Sequence, residues 1–214
     1  MKNYDHVIWD FNGTLLDDVL TGIRSVNTLL CKRGLTPIPD KEYYRKIFRF
    51  PIIEYYRSLG FDFDSEPYEE LAPKWVALYL ENVKKASLYD DVAKTLEYIK
   101  SNSIPQSVLS ATELSMLTEQ ICDLGIKDYF CEIMGLDNIH AGSKLSLAYE
   151  WRERHRGERV LFIGDTDHDA ETARALGAEC ILISRGHQSR EHLLTVCDRV
   201  YDDLGIIKRI LNNV

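Results

Sequence analysis

After residue 88 the chain alternates short apolar runs with amphipathic patterns. That alternation restricts it to a parallel sheet covered by helices on both faces. The strand-like runs are residues 106–110, 129–134, 160–163 and 180–183, with a short one near Val200. Helical spacing separates them: one pattern through Val92, Leu96 and Ile99, then residues 113–124, 145–154, 169–176 and 190–196, and a last one reaching Leu211. One more strand, residues 6–10, opens the chain and stops at the turn signal Asn12-Gly13-Thr14. It is expected to join the same sheet. The reading is α/β: a Rossmann-like, doubly wound parallel core.

The stretch between the first and second strands carries no strand signal. Leu16, Val19, Leu20, Ile23, Val26 and Leu30 recur at helical spacing up to Gly34. Asp40 can cap a helix reaching Phe48, and Pro51 can open another that Gly60 ends. A longer pattern through Leu71, Trp75, Leu78, Tyr79 and Val83 follows Asp64-Ser65, with Pro73 expected to end or kink its first turn. The chain thus divides into a core of residues 1–15 and 87–214 and an inserted helical bundle of residues 16–86. The tyrosines of the insertion, Tyr43, Tyr44, Tyr55 and Tyr56, are expected in the core and on the surface of that bundle rather than around a ligand.

Charge narrows the partners. Lys plus Arg is 26 against 34 Asp plus Glu, a formal net charge of -8. Without a basic block, nucleic acid and anionic membranes are poor partners, since phosphate backbones are held mainly by cationic side chains. No apolar run approaches the ~20 residues needed to span a bilayer, and residues 1–5 lack a signal-peptide layout. Cys31, Cys122, Cys131, Cys180 and Cys197 are odd in number and form no C-x-x-C pair. They are expected to be reduced core thiols of a cytoplasmic protein rather than zinc ligands.

In a doubly wound sheet, ligands sit beyond the carboxyl ends of the strands. The first strand delivers Asp10 to that edge. The second delivers Ser110-Ala111-Thr112, and the fourth delivers Gly164-Asp165-Thr166-Asp167-His168-Asp169. Carboxylates from opposite ends of the chain should therefore meet. Their repulsion is usually relieved by a hard divalent cation, and Mg²⁺ takes one or two carboxylates plus substrate phosphate. Asp167 and His168 are expected as loop residues.

Asp10-Phe11-Asn12-Gly13-Thr14-Leu15 resembles the first motif, D-x-D-G-T-L, of the haloacid dehalogenase-like hydrolase superfamily. Gly164-Asp165-Thr166-Asp167-His168-Asp169 is similar to its fourth motif, G-D-x-x-x-D. Ser110 stands where the second motif ends its strand, and Lys144, in Gly142-Ser143-Lys144, where the third-motif lysine lies. Motif order and separation resemble the phosphoglycolate phosphatase-like branch, in which a helical cap follows motif one. The resemblance implies a Mg²⁺-dependent phosphatase acting on a small phosphorylated metabolite. Asp10 would be the nucleophile forming an aspartyl-phosphate. Asp10, Asp165 and the backbone carbonyl of Asn12 would hold the metal. Ser110 and the backbone N–H groups near Asn12-Gly13 and Ala111-Thr112 would bind phosphate, with Thr14 bracing the turn. Lys144 would neutralise phosphate and orient Asp10, and Asp169 would anchor Lys144 or a metal-bound water. Arg49, in the cap run of residues 45–51, would meet a substrate carboxylate or second phosphate, and Phe50 an apolar part.

Asn12 departs from the family pattern. An Asp there protonates the leaving alkoxide and later activates water. Asn cannot exchange a proton at neutral pH, and loss of a general acid/base costs about 10²–10⁴ in rate. Four explanations stand: a substrate with a good leaving group such as an acyl or aryl phosphate; a substitute among His168, Arg45 and Arg49; an engineered trap; or a slow phospho-ligand binder. Two other functions stay open beside the phosphatase. One is a phosphonate-cleaving or other phosphoryl-transfer member of the superfamily, which would need a cap lysine (Lys41, Lys46, Lys74, Lys84 or Lys85) as Schiff base. The other is a catalytically impaired binding or regulatory protein. The metal-free dehalogenase branch fits poorly with a retained Asp165.

Overall fold

The computed structural model describes residues 4–139 and 143–212. Six parallel strands form one sheet in the order β3-β2-β1-β4-β5-β6. They are β1 (His6–Trp9), β2 (Gln106–Glu113), β3 (Glu132–Leu136), β4 (Val160–Gly164), β5 (Glu179–Ile183) and β6 (Val200–Tyr201). The opening strand is thus central, and the order reverses beside it, between β1 and β4. This is the α/β fold the alternation implied.

Between β1 and β2 lie α1 (Val19–Lys32), α2 (Lys41–Ile47), α3 (Ile52–Ser58), α4 (Tyr68–Val83) and α5 (Val92–Ser101). The core helices continue with α6 (Leu114–Asp123), α7 (Leu145–Arg154), α8 (Asp167–Leu176), α9 (Arg190–Leu193) and α10 (Ile207–Asn212). Residues of β1 alternate between two apolar layers. Val7 and Trp9 pack with Val92, Leu96, Leu117 and Ile207 on one face, while Ile8 packs with Trp151, Phe162, Ala173 and Leu176 on the other. A strand buried on both sides tolerates no polar residue without a partner, and the Trp9 indole N–H donates to Gln106 Oε1 at 3.0 Å.

Helices α1–α4 have their own apolar core, including Val19, Ile23, Leu30, Tyr44, Tyr55, Tyr56 and Leu71. The two chain segments joining them to the sheet run side by side. Asp17 N–H donates to Ser87 O at 2.9 Å and Tyr89 N–H to Leu15 O at 3.1 Å. The bundle also grips the core loop after β5. Arg45 donates to the carbonyls of Gly186 (2.8 Å) and Arg185, and Ser189 N–H donates to Arg45 O at 3.1 Å.

Several local readings need correction. Pro73 does not end or interrupt a first turn: α4 starts after Pro67 and runs past Pro73, which leaves without a helical donor only the carbonyl of the exposed Glu69. Tyr129 and Phe130 lie in and just after a 3₁₀ turn, packed on the core by their rings, and the strand begins only at Glu132. β2 extends to Glu113, past an irregularity between Leu109 and Glu113. Asp167 and His168 form the first turn of α8, because Thr166 and Asp169 make a capping box. All five cysteines are free, but Cys31, Cys122 and Cys131 are exposed. They face solvent on α1, on α6 and before β3, so they are not core thiols. No helix of the described residues is long and apolar enough to cross a membrane.

Ile8→Ala should lower stability by about 2–5 kcal/mol, because Ile8 is fully buried in the central strand. Cys31→Ser, on an exposed helix face, should change it by less than about 0.5 kcal/mol. Urea unfolding of the two variants measures both values.

Candidate active site

The carboxyl ends of β1, β2 and β4 meet at the switch point of the sheet. One carboxylate oxygen from each of Asp10, Asp165 and Asp169 lies within 4.8 Å of the others, and all three residues are buried. Lys144, the N-cap residue of α7, enters this cluster. Its Nζ lies 2.6 Å from Asp10 Oδ1 and 2.6 Å from Asp169 Oδ1. Thr14 Oγ1 donates to Asp165 Oδ1 at 2.9 Å and reaches Asp10 Oδ2 at 3.3 Å. The other Asp169 oxygen is spent locally, accepting the N–H groups of Asp165 and Thr166 and the Thr166 hydroxyl.

Two glycines make this density of charge possible. Gly13 has φ +75°, and a Cβ there would collide with the Asp165 carboxylate and the His187 ring. A Cβ on Gly186 would collide with the same carboxylate. Their absence lets the His187 N–H donate to Asp165 Oδ2 at 2.6 Å.

The electrostatics follow from burial plus crowding. Burial and the neighbouring Asp169 hold the Asp10 carboxyl well above the usual carboxylate range, against the pull of Lys144. Burial raises Asp165 to about 6, opposed by His187 and reinforced by Asp169. Burial would discharge Lys144, but Asp10 and Asp169 outweigh it and keep the ammonium protonated. Asp169 is lower than usual despite burial, because Lys144 is beside it.

These features coincide with a known family. A family model described as haloacid dehalogenase-like hydrolase matches residues 7–183. The chain belongs to the haloacid dehalogenase-like hydrolase family. A phosphoglycolate phosphatase of Synechococcus elongatus is 23% identical over 199 residues, 89% of either chain. One from Yersinia pestis is 25% identical over 197 residues, covering 88% of this chain and 84% of that protein. Among solved structures, a haloacid dehalogenase-like family hydrolase of Streptococcus pneumoniae shares the fold with a TM-score of 0.79 at 23% identity, over 97% of this chain and 98% of that one.

The side chain of Asn12, in the turn after β1, is fully engaged. Asn12 Nδ2 donates to Asp18 Oδ2 (2.9 Å) and Tyr79 OH (2.7 Å), while its Oδ1 accepts from Thr112 Oγ1 (2.7 Å). Thr112 in turn is tied to Ser110: the Ser110 hydroxyl donates to Thr112 Oγ1 at 3.1 Å and accepts the Thr112 N–H at 3.2 Å. Ser110, Ala111 and Thr112 line one cavity together with Asp10, Asn12, Lys144 and Asp165.

Three readings change. The Gly13 N–H is not free for a phosphate, since it donates to Asp18 Oδ1 (2.9 Å) and Leu16 O (3.0 Å). Thr14 is buried between two carboxylates and braces them instead of lining the cavity. Arg49 is exposed, donates to Ile47 O at 3.2 Å and stays outside the cavity wall, where Phe48 and Phe50 stand instead. The helical end at Phe48 turns the backbone so that alternate side chains face inward. Gly142, which precedes the Ser143-Lys144 pair, lies outside the described residues.

Sequence reasoning missed the group beside Asn12. His187 Nε2 sits 3.3 Å from Asp18 Oδ1, its Nδ1 lies 2.8 Å from Tyr44 OH, and Tyr79 OH donates to Asp18 Oδ2 at 2.7 Å. His187 follows the carboxyl end of β5, the edge where ligands gather, so its position was a signal left unused. His168, a candidate substitute for the missing acid, accepts the Lys144 N–H on Nε2 at 3.3 Å and faces Glu171 with Nδ1 at 3.3 Å. Burial and Lys144 lower its pKa.

The donors suit a hard divalent cation. Asp10 and Asp165 offer buried oxygens, burial pushes both carboxyl groups up, and no nitrogen or sulfur ligand of the described residues joins this cluster. Asp169 has its oxygens committed to Lys144 and to backbone donors, which leaves it an anchor.

Burial opposes charge on His187, but Asp18 and Asp165 raise it to about 9. A raised histidine contributes stability that is complete below its unfolded value near 6.5 and is lost as pH climbs through about 9. The contribution is of the order of 3 kcal/mol. Urea titrations at pH 6.5 and 10 should show the wild type losing this amount, and the double variant His187→Gln/Asp18→Asn should lack that part of the loss.

Proposed function

We propose that this protein is a Mg²⁺-dependent phosphomonoester hydrolase acting through an aspartyl-phosphate on Asp10. The observation that carries the reading is the convergence of Asp10 and Asp165 around a lysine-locked carboxylate cluster. Phosphoryl transfer asks for positioning and charge neutralisation more than for covalent machinery, and this edge offers both. The names of the curated relatives support a phosphatase.

Each side chain has a definable task. Lys144 fixes one oxygen of Asp10, so the other is presented to phosphorus. Asp169 holds Lys144 in place and keeps it protonated. The Ser110 hydroxyl and the backbone of Ala111 and Thr112 line the position for phosphate oxygens. Asp10, Asp165 and the Asn12 carbonyl would hold Mg²⁺, which when bound supplies charge neutralisation at the transferring oxygens. The helices α1–α4 are the cap of this enzyme, closing over residues 185–189 and excluding water. The cap lysines Lys41, Lys46, Lys74, Lys84 and Lys85 are absent from the described cavity wall, which removes support for Schiff-base phosphonate cleavage. The proposed partner is a small phosphorylated metabolite.

Phosphate release in the presence and absence of Mg²⁺, against a panel of phosphorylated metabolites, tests the assignment. Asp10→Asn should abolish release, and Lys144→Met should reduce kcat by at least about 10² through loss of a buried charge partner. Release that survives Asp10→Asn would defeat the nucleophile assignment. Ligand binding without any release would mark a binder instead.

A further inference from the structure

The cavity above Asp10 is an aromatic box on its cap side. Phe48, Phe50, Tyr55, Tyr56, Tyr68 and Trp75 line it opposite Asp10 and Ser110. It offers about 170 Å³, shared between the rings and the position over Asp10 and Ser110, room for a small ligand only. Tyr44, Tyr55 and Tyr56 bury in the bundle core, as expected, and also border this space.

The wall also lacks a free cation. Among the described lining residues Lys144 is the only Lys or Arg, and its ammonium is bound to Asp10 and Asp169. His168 accepts the Lys144 N–H, and His187 is shared between Asp18 and Tyr44. Arg49 points away. A carboxylate or second phosphate on the substrate would therefore be buried against rings without a counter-charge, which is strongly unfavourable. An uncharged flat group is favoured, because rings in contact attract beyond their area.

Asn12 adds a second constraint. With no proton to give at that position, a leaving group must depart as a stable anion, which a phenol does and an alcohol does not.

We infer that the substrate is a monoaryl phosphate: the ester of a single-ring phenol, uncharged apart from the phosphate. This rests on the phosphatase reading and narrows it. In the first step an Asp10 oxygen bonds to phosphorus as the P–O(aryl) bond breaks, and the phenolate leaves with the electron pair. In the second step a water oxygen bonds to phosphorus, the P–O bond to Asp10 breaks, and Asp10 returns as carboxylate. One water proton stays on phosphate and the other reaches the phenolate through solvent. Both leaving groups are weak bases, so neither departure needs an acid at position 12.

The test compares phenyl phosphate, 4-hydroxyphenyl phosphate, benzyl phosphate and phosphoglycolate with Mg²⁺. Benzyl phosphate keeps the ring but has an alkoxide leaving group. Phenyl phosphate should exceed benzyl phosphate in kcat/KM by about 10²–10⁴, the span of a missing general acid. Asn12→Asp should narrow that ratio by raising kcat/KM for benzyl phosphate. Phosphoglycolate should show KM at least about tenfold higher than either ring ester, the scale of one lost favourable contact. 4-Hydroxyphenyl phosphate, a second aryl ester, should exceed benzyl phosphate in the same way. If phosphoglycolate matches or exceeds phenyl phosphate in kcat/KM, the aryl assignment is overturned while the phosphatase reading stands. If none of the four esters is hydrolysed, both fall.

Discussion

The structure depends on one electrostatic arrangement: three buried carboxylates packed together and held by a single ammonium. Asp10, Asp165 and Asp169 would repel one another at this separation in a low-dielectric pocket. Lys144 offsets two of them directly, and backbone N–H groups of Asp165, Thr166 and His187 satisfy further oxygens. Burial still leaves Asp10 and Asp165 above the usual carboxylate range, and their oxygens suit a hard divalent cation. Glycines at 13 and 186 are the steric condition for the approach.

A second buried cluster lies beside the first. Asp18, His187, Tyr79 and Tyr44 form a hydrogen-bonded chain that joins cap helices to core loops. Asn12 stands where the two clusters touch, donating to Asp18 and Tyr79 and accepting from Thr112. A carboxylate at position 12 would face Asp18 without a proton between them. The amide therefore suits its surroundings electrostatically. The apolar wall of the cap faces the same cavity from the other side.

The fold was legible because its signals are local. The alternation after residue 88 implied a parallel sheet, and the Asp10 and Asp165 motifs each follow an apolar strand that feeds one edge. Readings failed where a residue's direction rather than its type mattered. Arg49 and Phe50 are neighbours in sequence, yet only the ring enters the cavity. Tyr44, Tyr55 and Tyr56 fit a bundle core by spacing and do bury there, but they also bound the space over Asp10. Gly13 offered an N–H to phosphate on paper, and Asp18 took it.

By itself the sequence determined the strand–helix order, the helical insertion and the pair of acidic motifs. Periodicity and motif spacing are properties of neighbours along the chain, and they survive without coordinates. Tertiary structure alone decided that His187 pairs with Asp18, that Tyr44, Tyr55 and Tyr56 border the cavity over Asp10, and that among the described residues no free Lys or Arg lines it. Those facts arise from side chains more than a hundred residues apart, or from which way a rotamer points. Burial and charge pairing act through space, and a linear pattern does not encode the distances on which they depend.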